Sequence, residues 1–200
     1  MERIDGQPLS DTWSEISEKE RDGLLAQLKG IFAELRALKK PQGIKIADGA
    51  VCAADGGKLH DHRIWNAAGE KGLGPFSNEE EFNLFLRNGI TNTDSIIDAE
   101  KKAEIQKLIE MHTESEKEKT KTVFTHGDVN LSNILVKEGR VVGIVDWEMA
   151  GWYPEYWEYT TAINTHYIRG WRESIGKFLD EWPQKKEMDD LWRRNYCDGP

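Results

Sequence analysis

The sequence feature that most constrains the fold is a series of short β segments between residues 122 and 146. Thr122–Thr125 predicts one strand, and Ile134–Val136 and Val141–Val145 predict two more, joined by a turn at Lys137–Arg140. The two strands of a hairpin run antiparallel, so the end of the second strand returns beside the start of the first. Asp146 is therefore expected next to the polar loop that precedes the hairpin.

Three polar residues stand at the ends of these segments. Asp128 follows the first strand, Asn133 comes five residues later, and Asp146 follows the hairpin. Phosphoryl transfer needs a carboxylate that orients the hydroxyl nucleophile, and a Mg²⁺ ion that is held by one or two oxygen-bearing side chains. The spacing predicts that Asp128 faces an acceptor while Asn133 and Asp146 reach one cluster of metal ions.

Other interpretations of the same residues stay open. Asp, Asn and Gly are common in turns, so any one of them alone favours a structural role. Asp128, Asp146 and His126 would also suit a metal-dependent hydrolase. The joint order of a His-Gly-Asp loop, an apolar hairpin and Asp-Trp-Glu favours phosphoryl transfer.

These motifs resemble those of one family. His126-Gly127-Asp128 with Asn133 resembles the catalytic-loop motif of the aminoglycoside phosphotransferase and choline kinase group. Asp146-Trp147-Glu148 resembles its metal-binding motif, which takes the place of Asp-Phe-Gly in protein kinases. Similarity to fungal members of the aminoglycoside phosphotransferase family extends to three further segments, Asp61-His62-Arg63, Gly74-Pro75-Phe76 and residues 150–158.

The resemblance implies a mostly helical α+β fold, the C-terminal lobe of a protein-kinase-like enzyme, whose short β-hairpin carries the metal site. It implies Asp128 as the catalytic base, Asn133 and Asp146 as Mg²⁺ ligands, and ATP or GTP as phosphoryl donor to a small-molecule hydroxyl. His126 and Glu148 are expected to support the site, and bracing of the loop is favoured for His126 over a proton shuttle. Candidate substrate-pocket residues are Asp61, Arg63, Glu155 and Glu158. A simple ion pair is favoured for the first two.

The chain is expected to begin at the hinge between two lobes. Residues 1–13 resemble the family's hinge and residues 14–200 its C-terminal lobe, so the backbone near Glu2 and Ile4 would touch adenine. We expect the N-terminal lobe, with its glycine-rich loop and strand lysine, to be absent, which predicts weak nucleotide binding and little turnover. A truncation, a single-lobe relative, or a homodimer that covers the exposed lobe face would each fit. A catalytically silent kinase-like binding module is the alternative function.

Composition narrows the class of partner and the location. The net charge is −9 and there is no dense Lys/Arg cluster, so nucleic acid is not an expected partner. No apolar stretch approaches the ~20 residues of a membrane span, and Met1–Asp5 lacks the apolar centre of a signal peptide. These features predict a cytoplasmic protein without a membrane partner. Cys52 and Cys197 provide neither a disulfide framework nor a four-ligand zinc site.

Helical periodicity predicts the elements before the loop. Ser17-Glu18-Lys19-Glu20 has the pattern of a capping box ahead of a long helix, whose apolar face runs from Leu24 to Leu38. Ser77–Glu80 gives a second capping box, and Asp94 is expected to cap a third helix.

Weaker signals predict the remaining structure. Short strands are expected near Ile44–Ile46 and Val51–Ala53. After Pro154 the chain is expected to be helical, with a break at Trp182-Pro183, because a residue before proline disfavours the helical conformation.

Overall fold

The structure is a computed structural model and describes residues 3–61, 63–64, 72–164 and 168–197. Its α-helices are α1 (Glu18–Arg36), α2 (Glu79–Leu86), α3 (Ala99–Glu118), α4 (Trp157–Asn164) and α5 (Pro183–Tyr196). Its strands are β1 (Gln7–Pro8), β2 (Cys52–Ala53), β3 (Thr122–Thr125), β4 (Ile134–Lys137), β5 (Arg140–Ile144) and β6 (Gly151–Pro154). This mixture of helices and small antiparallel sheets confirms the predicted α+β class.

The strands form two three-stranded sheets. One has the order β1-β4-β5 and contains the predicted hairpin, while the other has the order β2-β6-β3. In the second sheet Thr125 pairs with Gly151, and Thr122 pairs with Pro154. The end of β3 that leads into the polar loop therefore lies beside the beginning of β6.

Helix α1 begins at the predicted capping box. The backbone N–H of Glu20 donates to Ser17 Oγ at 3.3 Å, and the backbone N–H of Ser17 donates to Glu20 Oε2 at 2.9 Å. Farther along, Gln27 Nε2 donates to the carbonyl of Gly139 and Gln27 Oε1 accepts from the N–H of Val141, each at 3.0 Å. Helix α1 is thereby tied to the turn of the hairpin.

Within the described residues, two large apolar cores and a small cluster of Ala50, Cys52 and Trp152 hold the layers together. The first lies between α1, the hairpin and the segment after α4, and its members include Leu28, Phe32, Val129, Leu131 and Trp171. The second lies between β6 and helices α2–α5, and its members include Val51, Phe82, Tyr153, Trp157 and Trp192. Because Val129 and Leu131 belong to the first core, the polar loop is packed directly onto α1.

Two predicted helix starts lie elsewhere in the structure. Asn78, one residue after Ser77, caps α2 by accepting from the N–H of Glu81 at 2.9 Å. Asp98 rather than Asp94 caps α3, accepting from the N–H of Lys101 at 2.7 Å. Several Asn, Asp and Ser residues compete as caps in both regions, so local pattern alone does not select the position.

Other expectations are partly met. Strand β2 forms within the predicted Val51–Ala53, whereas residues 44–46 form no strand. Strand β6 is an addition that the sequence pattern did not predict. The expected break at Trp182-Pro183 is confirmed, because α5 starts at Pro183. The region before it is less helical than expected, since α4 ends at Asn164 and a 3₁₀ helix covers only Arg172–Lys177. None of the described helices is long and apolar enough to cross a membrane.

Candidate functional site

The polar loop after β3 begins with a glycine that no other residue can easily replace. Gly127 has φ of +85°, and a Cβ atom built on it would lie 2.8 Å from the carbonyl oxygen of Met149. Side chains rarely adopt this backbone conformation, and the close approach excludes them in addition. On the other side of Asp128, Val129 is fully buried. Both neighbours therefore fix the backbone that carries Asp128.

Glu158 on α4 holds the same backbone from behind. Its Oε2 accepts from the N–H of His126 at 2.7 Å, and its Oε1 accepts from the N–H of Gly127 at 3.0 Å. The carboxylate is fully buried, and burial raises its pKa against the opposing influence of His126 and of these two N–H groups. A substrate-pocket position was predicted for Glu158, but its burial behind the loop places it out of reach of a ligand.

His126 braces the loop against the hairpin. Its Nδ1 accepts from the N–H of Asp128 at 3.2 Å, and its Nε2 lies 2.9 Å from the carbonyl oxygen of Val145. Because a carbonyl only accepts, Nε2 is the nitrogen that donates in this arrangement. The ring is fully buried, a position that suits the bracing role rather than a proton shuttle.

Two amide side chains hold the carboxylate of Asp128. Asn130 Nδ2 donates to Asp128 Oδ2 at 3.1 Å, and Asn133 Nδ2 donates to the same oxygen at 2.9 Å. Both amides also donate to the backbone carbonyl of Asp128. Among the described residues these bonds converge on Oδ2, so Oδ1 is the oxygen left to face a ligand. Asp128 itself is half-buried.

Asp146 lies beside this pair because the residue before it, Val145, is hydrogen-bonded to a residue on either side. The N–H of Val145 donates to the carbonyl of Asn133 at 2.9 Å, while its carbonyl accepts from His126. Asp146 follows directly, with an exposed side chain and φ of +65°. Non-glycine residues rarely adopt this conformation, although Asp tolerates it better than most, and strained backbone of this kind clusters at functional sites. The structure thus brings Asp128, Asn133 and Asp146 to one edge of the hairpin.

Trp147 packs across the turn that follows. Its ring lies 4.6 Å from the ring of His126 and stacks on Phe124 at 6.4 Å, and its Nε1 donates to the carbonyl of Ile144 at 2.8 Å. The contacts hold the turn that presents Asp146. Glu148, one residue on, has an exposed side chain.

The oxygen set of the site fits Mg²⁺. Within the described part of the chain there is no group of three or more His, Cys, Asp or Glu side chains arranged to hold a metal ion. Asn133 and Asp146 supply one amide oxygen and one carboxylate, and Mg²⁺ is usually bound by one or two carboxylates together with waters and phosphate oxygens. The amide nitrogen of Asn133 is engaged by Asp128, so its oxygen is directed away from that residue.

The remaining candidate residues are the pair Asp61 and Arg63, and Glu155. Arg63 Nε and Nη2 donate to Asp61 at 2.9 and 2.6 Å, forming a buried ion pair. Burial opposes the charge of Arg63, but the carboxylate of Asp61 outweighs that effect and raises the Arg63 pKa. Glu155 follows the end of β6 that pairs with Thr122, so the structure does not bring it to Asp128.

The two nucleotide-contact candidates are only partly described. Glu2, like His62, lies outside the described residues. Ile4 is 40% exposed and covers Gly143 on β5, where a Cβ atom would lie 2.8 Å from Ile4 Cδ1. Ile4 therefore contributes apolar surface to the sheet that contains the hairpin. The division at residue 13 into hinge and lobe stays a prediction.

Sequence reasoning did not predict how Asn130 and Glu158 hold the polar loop. Asn130 carried a signal, because an Asn in a tight turn commonly bonds the backbone two residues on, as Asn130 Oδ1 does with the N–H of Ser132 at 2.9 Å. Glu158 carried none, since it lies more than thirty residues from the N–H groups that it accepts from.

Helices packed on two small antiparallel sheets, with a His-Gly-Asp loop beside a hairpin that an aspartate follows, give this chain the fold of kinase-like phosphotransferases. The chain belongs to the phosphotransferase enzyme family, whose model matches residues 1–192. A comparison with curated proteins finds no significant match.

Solved structures share this fold. A thermostable mutant of aminoglycoside phosphotransferase APH(4)-Ia, in a ternary complex with AMP-PNP and hygromycin B, matches with a TM-score of 0.59 and 14% identity, over 95% of this chain and 59% of that one. ADP-bound APH(2'')-Ib matches with a TM-score of 0.54 and 14% identity, over 98% of this chain and 58% of that one. The gentamicin complex of APH(2")-IIa matches with a TM-score of 0.51 and 12% identity, over 98% of this chain and 57% of that one. The chain thus spans less than two thirds of the length of these structures.

Proposed function

We propose that this chain carries the catalytic site for Mg²⁺-dependent transfer of the γ-phosphoryl group of ATP or GTP to a hydroxyl of a small molecule. The observation that carries the proposal is the joint placement of Asp128, Asn133 and Asp146. Asn133 is bonded to Asp128 through its side chain and to Val145, the neighbour of Asp146, through its backbone. Residues separated by a whole hairpin therefore share one edge, as the reaction requires.

Asp128 would orient the acceptor hydroxyl and take its proton. The two amide donors hold Oδ2, which leaves Oδ1 turned toward an incoming hydroxyl. An oriented carboxylate lowers the barrier because the nucleophile no longer has to find its geometry in the transition state. The buried supports behind the loop, Glu158 and His126, maintain that orientation.

Asn133 and Asp146 would hold the metal ion. When bound, Mg²⁺ neutralises part of the phosphate charge and fixes the phosphate oxygens. The chain's own contribution is the exposed carboxylate of Asp146, which its left-handed backbone presents outside the end of β5. Glu148 is proposed as a supporting acidic group on the same turn.

The nucleotide base would lie on the β1-β4-β5 sheet. Ile4 and Val142 each expose 40% of their surface there, which offers an apolar face to a planar base. Backbone groups near Glu2 and Ile4 would meet its edge. The AMP-PNP and ADP bound in two of the similar structures support a nucleotide donor for this fold.

Phosphate transfer from γ-labelled ATP or GTP tests the proposal. The chain is incubated with Mg²⁺, labelled nucleotide and a panel of hydroxyl compounds that includes hygromycin B and gentamicin, and labelled product is separated. Transfer that requires Mg²⁺ and is lost in Asp128→Asn, but kept in the matched control Glu155→Gln, supports the enzyme. Nucleotide binding without transfer to any acceptor would support the binding module instead. Transfer that Asp128→Asn leaves unchanged would exclude this site.

A further inference from the structure

A small buried cavity lies among helices α2–α5, behind the helix that carries Glu158. It leaves about 10 Å³ for the centre of a water-sized sphere. Its lining includes Asn83, His112, Trp157, Thr160 and Asp189, and each of these residues is buried. A space of this size holds a single water molecule if polar groups face it.

Three of the lining residues carry buried polar atoms that have no hydrogen-bond partner among the described residues. They are Asn83 Oδ1 on α2, Trp157 Nε1 on α4 and Asp189 Oδ1 on α5. The other polar atoms of the Asn and Asp side chains are engaged, since Asn83 Nδ2 donates to Glu116 at 3.0 Å and Asp189 Oδ2 accepts from Arg193 at 2.6 Å. Three residues with orphaned polar groups, each on a different helix, therefore line one cavity.

The chemistry of these three atoms selects the occupant. Two are acceptors and one is a donor, which matches a molecule that donates twice and accepts once. A metal cation would be opposed by the indole N–H, which can only donate, and an anion would be opposed by the carboxylate of Asp189. Water meets all three demands, and buried waters usually make about three such bonds.

We infer that one ordered water molecule occupies this cavity, donating to Asn83 Oδ1 and Asp189 Oδ1 and accepting from Trp157 Nε1. The water joins α2, α4 and α5 through one point. Trp157 directly precedes Glu158, whose carboxylate holds the N–H groups of His126 and Gly127. The solvent site therefore lies one residue from the support of the polar loop. The inference does not depend on the proposed function.

The indole proton of Trp157 gives a direct readout in nuclear magnetic resonance. In the ¹⁵N-labelled chain, we expect a cross peak between Trp157 Hε1 and the water line, with the sign of a long-lived contact in paired NOE and rotating-frame experiments. Trp157→Phe assigns the signal by removing it. Absence of the peak in the folded wild-type chain overturns the inference.

The hydroxyl protons of Tyr156 and Thr160 at the cavity exchange with water and could produce the same cross peak. Two variants distinguish these hydroxyl groups from a bound water molecule. Tyr156→Phe and Thr160→Val remove the hydroxyls while keeping the shape of each side chain. The cross peak persists in both variants if water is its source, and its loss in either one overturns the inference.

A crystal structure of the wild-type chain at about 1.6 Å resolution or better provides the second measurement. We expect one density peak within about 2.7–3.2 Å of all three atoms. An empty cavity, or a peak with the scattering or coordination of an ion, would contradict the assignment. This measurement needs no variant and so holds even where a substitution fails to fold.

Discussion

The side chain of Asp128 is fixed on one oxygen by the amides of Asn130 and Asn133. A carboxylate in an ordinary exposed turn rotates freely, whereas this one keeps one orientation because both donors also bond its backbone carbonyl. A fixed orientation reduces the loss of entropy on reaching the transition state, because the carboxylate is already in place. The residue is therefore arranged as a base is expected to be.

We predict that Asp128→Ala lowers the rate of phosphoryl transfer by about 10²–10⁴-fold, the range typical for loss of a general base. The rate constant at saturating substrates is the quantity to measure. Melting temperature serves as the control for folding. Unchanged turnover would refute the role of Asp128.

Glu158 gives a prediction about stability. A carboxylate accepts from both loop N–H groups, but in Glu158→Gln one of them would face an NH₂ group and lose its acceptor. A buried donor without a partner costs about 1–3 kcal/mol, so the free energy of unfolding should fall by about that amount. Urea unfolding measures it. The exposed Glu34→Gln should change stability by less than about 0.5 kcal/mol, and an equal effect of both would contradict the role of Glu158.

His112 makes the stability depend on pH. Burial, with the charges of Arg87 and Lys185, holds its pKa well below the usual value of about 6.5. Below about pH 6.5 the unfolded chain therefore binds a proton that the native chain does not. The contribution of His112 to the free energy of unfolding therefore falls by up to about 1.4 kcal/mol per pH unit as the pH decreases.

The variant His112→Asn isolates that contribution. Asn keeps an acceptor for Arg87, which donates to His112 Nδ1 in the structure, but it does not titrate. Unfolding free energies between about pH 7 and 5 should fall less steeply than in the wild type. The exposed His60→Asn should keep the wild-type slope. Parallel curves for His112→Asn and wild type would disprove the assignment.

At the scale of elements, α1 offers the cleanest test of a local interaction. Ser17→Ala removes the capping bond to the N–H of Glu20 and should destabilise the chain by about 1 kcal/mol. For a chain of this size that corresponds to a melting temperature about 2–4 °C lower. Ser95→Ala, at an exposed turn, should leave it nearly unchanged. A Ser17→Ala melting temperature equal to that of wild type would show that the cap contributes nothing.

The elements that sequence pattern predicted are those whose signals are local. The start of α1 and the hairpin follow from a capping box and from alternating apolar residues, both read within a few positions. Strand β6 depends instead on distant partners, since it pairs with β2 and β3 on either side. A Cβ on Gly151 would lie 2.5 Å from the carbonyl of Cys52, a constraint that only the assembled sheet reveals.

At the scale of the whole molecule, the candidate site combines residues that local sequence signals predict with residues that depend on distant packing partners. The positions of the loop and hairpin residues could be predicted because they follow from the strand pattern between residues 122 and 146, while their catalytic roles stay a prediction. The support from Glu158 was not, because it requires α4 to pack behind the loop. The start of the third helix shows the converse, since Asp94 was expected to cap it but α3 begins at Ala99 and leaves Ile97 fully exposed ahead of it.

The central claim is that Asp128, Asn133 and Asp146 form one site for a nucleotide and its metal ion. Thermal unfolding with Mg²⁺ and AMP-PNP tests it most directly, because a ligand that binds the folded state must raise the melting temperature. At a free ligand concentration ten times Kd the gain is about 1.4 kcal/mol, or about 3–6 °C. We predict this rise for the wild type and for Glu155→Gln, and its loss in Asp146→Asn or without Mg²⁺. An unchanged melting temperature at millimolar ligand, or an equal rise in Asp146→Asn, would contradict the claim.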